Sequence, residues 1–406
     1  MRKEIINRLG RINWDFGTRV VADKDAIYPF NNRKFHSYPA TFIPEIPFSL
    51  IEILSNEGSV VMDPFGGIGT TFIQALIQKR VPISIDNNSV ATDITKDFYC
   101  LFNPLVDLSD AFYTLKNIVR EYDEKIVYST NLSGKDILLF DWYEKNTMNQ
   151  IAFLIQEYRF NKGEKSVPGL EELFHLCLSN ILTTACSQNG GWAYIADNVK
   201  PKTDKLKDKN AIDRFLLNLD NCVKSIGKYK QKLGNDISFI YDDALVPRVV
   251  HNDFSSMDID CVREKVDLVI TSPPYPRMID YVKSQRLSFY LKGSDFSNEL
   301  STEIGARARR NQMDTVVKYV ESMNKCNERI YDSLKKGGCL CYVLPDFSSE
   351  DKQDRKEAID EVIQDCINRG MNRVFKSNRC IPGTKRSNNI KWASLKQEQI
   401  IILEKT

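Results

Sequence analysis

The segment Thr271-Ser272-Pro273-Pro274-Tyr275 carries the densest chemistry in this chain of 406 residues. It follows Val266-Asp267-Leu268-Val269-Ile270, which reads as a buried strand. It therefore leaves a sheet at its carboxyl edge, where ligands bind in open α/β architectures. Two prolines stiffen the backbone and supply no N–H, leaving carbonyls that can only accept. The Ser272 hydroxyl and the Pro273 carbonyl together suit a group with two N–H bonds, such as an exocyclic amine. Holding both hydrogens would aim the nitrogen lone pair at an incoming carbon. Pro274 completes the stiff pair, and Tyr275 offers a flat face on which a base turned out of a duplex could stack. The competing reading is a proline-rich turn after a strand.

A second cluster is Asp63-Pro64-Phe65-Gly66-Gly67-Ile68-Gly69-Thr70-Thr71. A glycine turn between strand and helix lets a ligand approach backbone N–H groups at the helix start. Its spacing is not GxGxxG, and no lysine follows as in a P-loop. Asp63, at the end of one strand, suits a cationic amino group on the ligand. Asp86, ending the next strand Pro82-Ile83-Ser84-Ile85-Asp86, suits the hydroxyls of a ribose. A tight structural turn would account for the glycines alone, but not for both strand-end carboxylates.

Positioning these loops takes an α/β frame. A helix is expected near residues 47–54, with Pro47 in its first turn, then strands at 59–63 and 82–86. From about 105 to 232 the pattern is helical, interrupted by the basic stretch Lys200 to Lys209. Strands resume at Ile237-Ser238-Phe239-Ile240-Tyr241-Asp242-Asp243, at 266–270, at 339–344 and at 399–403, with an amphipathic helix from about Val316 to Leu334. Continuous apolar strands alternating with helices predict a doubly wound, mostly parallel sheet. The expected organisation is 1–104 as an N-terminal segment and cofactor-binding half, 105–232 as a helical insertion that could recognise a target, and 233–406 as a catalytic half.

Composition excludes little. Hydrophobic residues make up 42% and charged residues 27% of the chain, enough for a sizeable core. No signal-peptide or membrane-span pattern is expected, so no membrane partner is foreseen and the reading is cytoplasmic. Ten cysteines are scattered without paired CxxC knuckles, and three histidines stand far apart. Free thiols are expected, and no metal site. A net charge of +2 neither supports nor excludes nucleic acid, since a basic groove can exist on a neutral protein.

DPFGGIGTT together with TSPPY resembles the amino-methyltransferases of DNA, the N6-adenine and N4-cytosine enzymes of bacterial restriction-modification and defence systems. The resemblance covers roughly residues 34–95 and 237–404. It implies a class I methyltransferase fold (Rossmann-like) that binds S-adenosylmethionine, with double-stranded DNA as substrate and a cognate restriction endonuclease or other defence subunit as a candidate partner. It assigns Asp63, Phe65, Gly66, Gly67, Gly69 and Thr70 to the methionine part, and Asp86 to the ribose. Asp243, read as the acidic end of the third strand, falls to the adenine ring. Phe35-His36-Ser37-Tyr38-Pro39-Ala40-Thr41-Phe42 resembles the segment that packs over the methionine, with Phe42 as a contact. Ser272, Pro273, Pro274 and Tyr275 match the catalytic tetrapeptide.

In the family, serine in first place goes mostly with cytosine N4, and aspartate or asparagine with adenine N6. The implied reaction is methyl transfer to an exocyclic amine of a flipped base, cytosine N4 by this spelling, with adenine N6 as the alternative. The Pro-Cys nucleophile of C5-cytosine enzymes is absent, so direct displacement is expected. The glycine motif precedes the catalytic motif here, the reverse of its usual order for that spelling. Arg307, Arg309 and Arg310, and the run from Arg379 to Lys385 and Arg386, are candidate DNA contacts, each equally readable as a solvated surface. Trp192 could wedge a base or sit in a core. Methylation of RNA or of a protein glutamine, and a catalytically silent DNA-binding subunit, are the rival readings.

Overall fold

A computed structural model describes residues 2–16, 27–39, 41, 43–129, 141–163, 166–188, 201–241, 248–306, 314–347, 353–381, 395 and 397–406. Seven strands form one sheet: β1 (Val60–Asp63), β2 (Val81–Asp86), β3 (Val249–His251), β4 (Val266–Thr271), β5 (Leu334–Asp346), β6 (Met371–Cys380) and β7 (Gln397–Lys405). Their order is β3-β2-β1-β4-β5-β7-β6. The first five run parallel to one another, and β7 lies antiparallel between β5 and β6. This is the doubly wound α/β sheet of a class I methyltransferase fold.

The apolar runs are continuous because helices cover both faces. Met62, Val269, Leu340 and Ile401 point to one side, where the helices Thr315–Ser333 and Gln353–Asn368 bury them. Val61, Leu268, Cys341 and Ile400 point to the other, against Leu50 and Ile51 of the helix Glu45–Leu54 and Leu9 and Trp14 near the N-terminus. Successive residues of each strand serve opposite cores, as a period of two requires.

The helices Leu108–Arg120, Lys145–Asn161, Leu170–Thr184 and Ala211–Leu233 occupy the stretch expected to be helical. They do not make a core of their own. Phe72, Ile73 and Leu76 of the helix Thr70–Ile77, and Ile94 and Phe98 of the helix Ser89–Phe102, belong to the same cluster as Leu173, Phe174, Phe215 and Leu219. The stretch is thus bonded through packing to the helix that opens at the glycine turn.

One expected strand is corrected. Residues 237–243 do not join the sheet: Ser238–Tyr241 is a 3-10 helix, and the third strand is β3, paired with β2 from Ser84↔Val249 to Asp86↔His251. Ile237 and Ile240 are both buried and lie three apart, the repeat of a 3-10 turn, whereas Phe239 between them is exposed. Tyr241 stacks on Tyr99 with centroids 4.6 Å apart. None of the ten cysteines is in a disulfide. Among the described residues no helix is long and apolar enough to cross a membrane, and no cluster of His, Cys, Asp and Glu could hold a metal ion.

Candidate functional site

The order of the sheet reverses between β1 and β4, which pair side by side with Val61 opposite Leu268 and Met62 opposite Val269. Ligands collect outside the carboxyl ends of strands at such a switch point. Both motifs leave the sheet there, the glycine turn after β1 and the SPPY turn after β4. They share one pocket of about 820 Å³, counting the part open to solvent; Phe65, Gly66, Gly67, Thr70, Asp86, Ser272 and Pro274 line it.

The glycine turn is shaped by sterics. A Cβ on Gly66 would stand 1.9 Å from Ser84 Oγ and 3.1 Å from Ser84 Cβ on β2, so a side chain there requires Ser84 to give way. Gly67 and Gly69 adopt φ of +51° and +77°, the left-handed region that glycine enters freely. Gly69 then caps the helix Thr70–Ile77, and Thr95 donates to the Gly67 carbonyl at 3.0 Å. Asp86 holds the turn from the next strand: its two carboxylate oxygens accept from the N–H groups of Gly67 and Asn88, both at 2.8 Å. Burial pushes its carboxyl above the usual range, against those two bonds and the nearby His251. Each oxygen keeps a further lone pair, so Asp86 can accept from hydroxyls in the pocket it lines.

Asp63 does not stand where the sequence suggested. It is 1% exposed and behind the pocket lining, with Oδ2 accepting from Thr71 Oγ1 at 2.7 Å and Oδ1 from the Phe65 N–H at 3.1 Å. Burial lifts its carboxyl to about 6, offset by those hydrogen bonds. Its place is under the turn, fixing the start of the helix. Gly69 likewise shapes the turn without lining the pocket.

On the SPPY side, Ser272 and Pro274 face the pocket, while Pro273 and Tyr275 are buried behind it. Tyr275 is 7% exposed, and its hydroxyl is turned inward to Glu398 Oε1 at 3.0 Å and to Ser272 Oγ at 3.1 Å. Burial and the charge of Glu398 raise its phenol well above the ordinary value. The ring is therefore not the open stacking platform its sequence position suggests. Arg379, read as part of a basic run, is also corrected: it is 4% exposed and donates from Nη1 to Glu398 Oε2 at 2.9 Å. It is unavailable to DNA.

Phe42, Asp243, Trp192, Arg307, Arg309, Arg310, Lys385 and Arg386 lie outside the described residues. Because the third strand is β3, the acidic residue that follows it is Asp253, which lines the pocket. Sequence reasoning missed it because the strand was placed too early. Tyr38, in the segment expected to pack over the methionine, stacks on Tyr281 with ring centroids 6.1 Å apart at the pocket wall. Glu303 lines the same pocket and accepts from the Tyr281 N–H at 2.6 Å, holding that ring's backbone. Burial raises the Tyr38 phenol well above its usual range, and the nearby Asp86 adds to the effect. His36 bonds through Nε2 to Gln285 Oε1 at 2.9 Å, and Gln285 donates to the Ser37 carbonyl at 3.2 Å. The segment before the glycine turn is thereby anchored to the helix Arg286–Lys292 region that follows SPPY. Further upstream, Gln74 brackets the backbone of Phe30 with two hydrogen bonds of 3.0 and 2.9 Å, and Asn32 donates to the Ile68 carbonyl at 2.8 Å.

Comparison with known proteins agrees with this geometry. Residues 21–97 match a family model described as DNA methylase, of the N6/N4 methyltransferase type. The match begins upstream of residue 34 and takes in Phe30 and Asn32. The chain is 30% identical over 173 residues to the type II methyltransferase M.MjaII of Methanocaldococcus jannaschii. That alignment covers 41% of this chain and 30% of the relative, so the chain matches about a third of the relative's length. Over residues 21–97 the chain is similar to the N6/N4 amino-methyltransferases of DNA.

Proposed function

We propose that this protein transfers a methyl group from S-adenosylmethionine to the exocyclic amine of a base flipped out of duplex DNA, cytosine N4 in the first instance. The observation that carries the reading is the convergence, in one pocket, of Asp86 and the Gly66–Gly67 turn with Ser272 and Pro274. The cofactor's chemistry fits the residues present. Asp86 keeps acceptor capacity for a ribose diol, Phe65 and Pro39 supply apolar wall, and the helix Thr70–Ile77 presents its N-terminus to the pocket. Asp253 stands on the adjacent strand end.

When bound, S-adenosylmethionine supplies an electrophilic methyl group. The chain's own residues do the rest. Ser272 accepts an N–H of the target amine and turns its lone pair toward the methyl side; alignment of this kind is worth several kcal/mol. Pro274 and the buried Pro273 hold the turn stiff. No nucleophile on the protein takes part, and the amine proton leaves after transfer. Residues 105–232 flank the cleft for duplex DNA in this reading, and an endonuclease acting on the same sequence is the partner it implies.

The test is methyl transfer from labelled S-adenosylmethionine to duplex DNA, with RNA and protein as comparison substrates and mass spectrometry of the digested product. N4-methylcytosine is expected. N6-methyladenine would move the target to the other amine and leave the mechanism standing. 5-Methylcytosine would overturn both, since it requires the Pro-Cys nucleophile that the sequence lacks.

A further inference from the structure

We propose that Glu398 is a positioning residue that sets the direction of the Ser272 hydroxyl and thereby makes the SPPY turn select an amine-bearing base over a keto base. The inference rests on the reading that Ser272 meets the target base. It follows from counting donors along a buried chain of four groups.

Arg379 is a pure donor, and it gives one N–H to Glu398 Oε2 at 2.9 Å. The other oxygen, Oε1, lies 3.0 Å from the Tyr275 hydroxyl and can only accept. The Val343 carbonyl, 3.4 Å from the same hydroxyl, can also only accept. The single phenolic hydrogen is therefore drawn to the nearest and only charged acceptor, Glu398, and away from Ser272, with the more distant Val343 carbonyl a minor partner. What Tyr275 offers Ser272 across 3.1 Å is a lone pair, so Ser272 must donate its own hydrogen inward. The Ser272 oxygen is left facing the pocket with lone pairs alone.

An oxygen in that state pairs with an N–H. Cytosine N4 and adenine N6 supply one; the carbonyl oxygen of uracil, thymine or guanine meets it lone pair against lone pair. The relay is sealed, with Arg379, Glu398 and Tyr275 all 9% exposed or less, so water cannot reverse it cheaply. The two residues behind it stand on β6 and β7, the antiparallel strands beyond the parallel part of the sheet.

The decisive variant is Glu398→Gln, which keeps the shape and changes the donor count. Arg379 then takes the amide oxygen, and the amide N–H₂ turns to Tyr275. The phenolic hydrogen is released toward Ser272, nearer at 3.1 Å than the Val343 carbonyl at 3.4 Å, and Ser272 presents its hydrogen to the pocket. In Arg379→Met/Glu398→Gln the amide is free to flip, its oxygen accepts from Tyr275 again, and the original direction returns. A role limited to packing predicts the opposite ranking, with the double variant worse.

The measurements use the duplex that the wild type methylates. They are thermal unfolding, S-adenosylmethionine affinity by calorimetry, kcat, and competition by duplexes carrying cytosine or uracil at the target opposite an abasic position. For Glu398→Gln the expected result is unchanged cofactor affinity, kcat down about a hundredfold, and loss of the preference for cytosine over uracil. The double variant should recover most of both. A folded Glu398→Gln protein with wild-type kcat and preference overturns the proposal, as does a folded double variant no better than the single one. Should Glu398→Gln not fold, Tyr275→Phe leaves the ion pair intact and frees the Ser272 rotor; retention of the wild-type preference there overturns the proposal too. Failure of the underlying functional reading appears separately, as a wild type that does not methylate the amine.

Discussion

The turn after β1 and the turn after β4 leave adjacent strands by the same edge, yet they are built from opposite materials. The first is glycine, with positive φ at Gly67 and Gly69 and a backbone N–H of Gly67 held by Asp86. The second is proline, with no N–H at Pro273 or Pro274 and a serine whose oxygen faces the pocket. One turn needs the absence of side chains so that strand, turn and helix can close on each other. The other needs rigidity so that a single hydroxyl stays in place. A ligand held by the first can therefore be described by shape and hydroxyl count, and a ligand held by the second by the direction of its hydrogens. The pocket joins a shape reader to a polarity reader.

The contrast breaks most completely at Gly66. Gly66→Ala should abolish measurable cofactor binding, because its Cβ would collide with Ser84 Oγ; overpacking of this kind costs about 1–3 kcal/mol of stability. Calorimetry and thermal unfolding check this, and Gly66→Ala/Ser84→Gly should regain part of both. A folded Gly66→Ala protein with wild-type affinity would remove the steric account of the turn.

Next in size is Ser272→Ala. Cofactor affinity should stay as it is while turnover drops about a hundredfold, since an unheld amine hydrogen leaves the nitrogen misaligned. Parallel loss of cofactor affinity would mean that the two turns are not separate readers. Single-turnover kinetics with saturating cofactor decides between these.

Asp86→Asn sharpens the comparison from the other side. One acceptor oxygen survives, but the amide N–H₂ must face the N–H of Gly67 or Asn88, so the loss should be at least about 1.5 kcal/mol, or roughly tenfold in affinity for S-adenosylmethionine. kcat at saturating cofactor should barely move. An equal fall in kcat would assign Asp86 to the chemistry and not to the ribose.

Last is a pH effect, on stability and not on affinity, at Asp63, whose carboxyl is raised by burial to about 6. The folded state then holds a proton that the unfolded chain has lost between about pH 4 and 6. Stability contributed by this group accordingly falls as pH rises through that window, by a few kcal/mol at most. Asp63→Asn should flatten the difference, so the gap between variant and wild-type unfolding temperature should widen in the variant's favour from pH 4.5 to pH 7. A gap that does not change with pH would place Asp63 in contact with a compensating charge.

Much of this site was legible as residue types at strand ends. Runs such as Val60-Val61-Met62-Asp63 and Val266 to Ile270 announce buried parallel strands by lacking polar interruptions, and whatever follows them lies at the ligand edge. The parts that stayed hidden depend on contacts between distant segments. β6, with the spelling Met-Asn-Arg-Val-Phe-Lys-Ser-Asn-Arg-Cys, is half polar because it is an edge strand, so no apolar run marks it. Ile237 to Tyr241 alternates enough to imitate a strand while burying at a spacing of three. The inward aim of Asp63 and Tyr275 is set by Thr71 and Glu398, partners that no spacing rule connects to them. Residue identity points to chemistry; only packing says which side of the pocket wall a group occupies.

The seam between β1 and β4 also bears on how the chain reaches this state. Val60 donates its N–H to Asp267 at 2.8 Å across 207 residues of sequence, and both strands are apolar on two faces. The entropy of closing so long a loop grows only slowly with its length, but parallel pairing at this separation is intrinsically slow. β1 and β2 can form from residues close in sequence, whereas their partner arrives after the helices of 108–233 have been made. Until it does, β1 presents an unpaired apolar edge of the sort that seeks other chains. The same seam that builds the pocket is thus the step at which a newly made molecule is most exposed to aggregation and most dependent on chaperones.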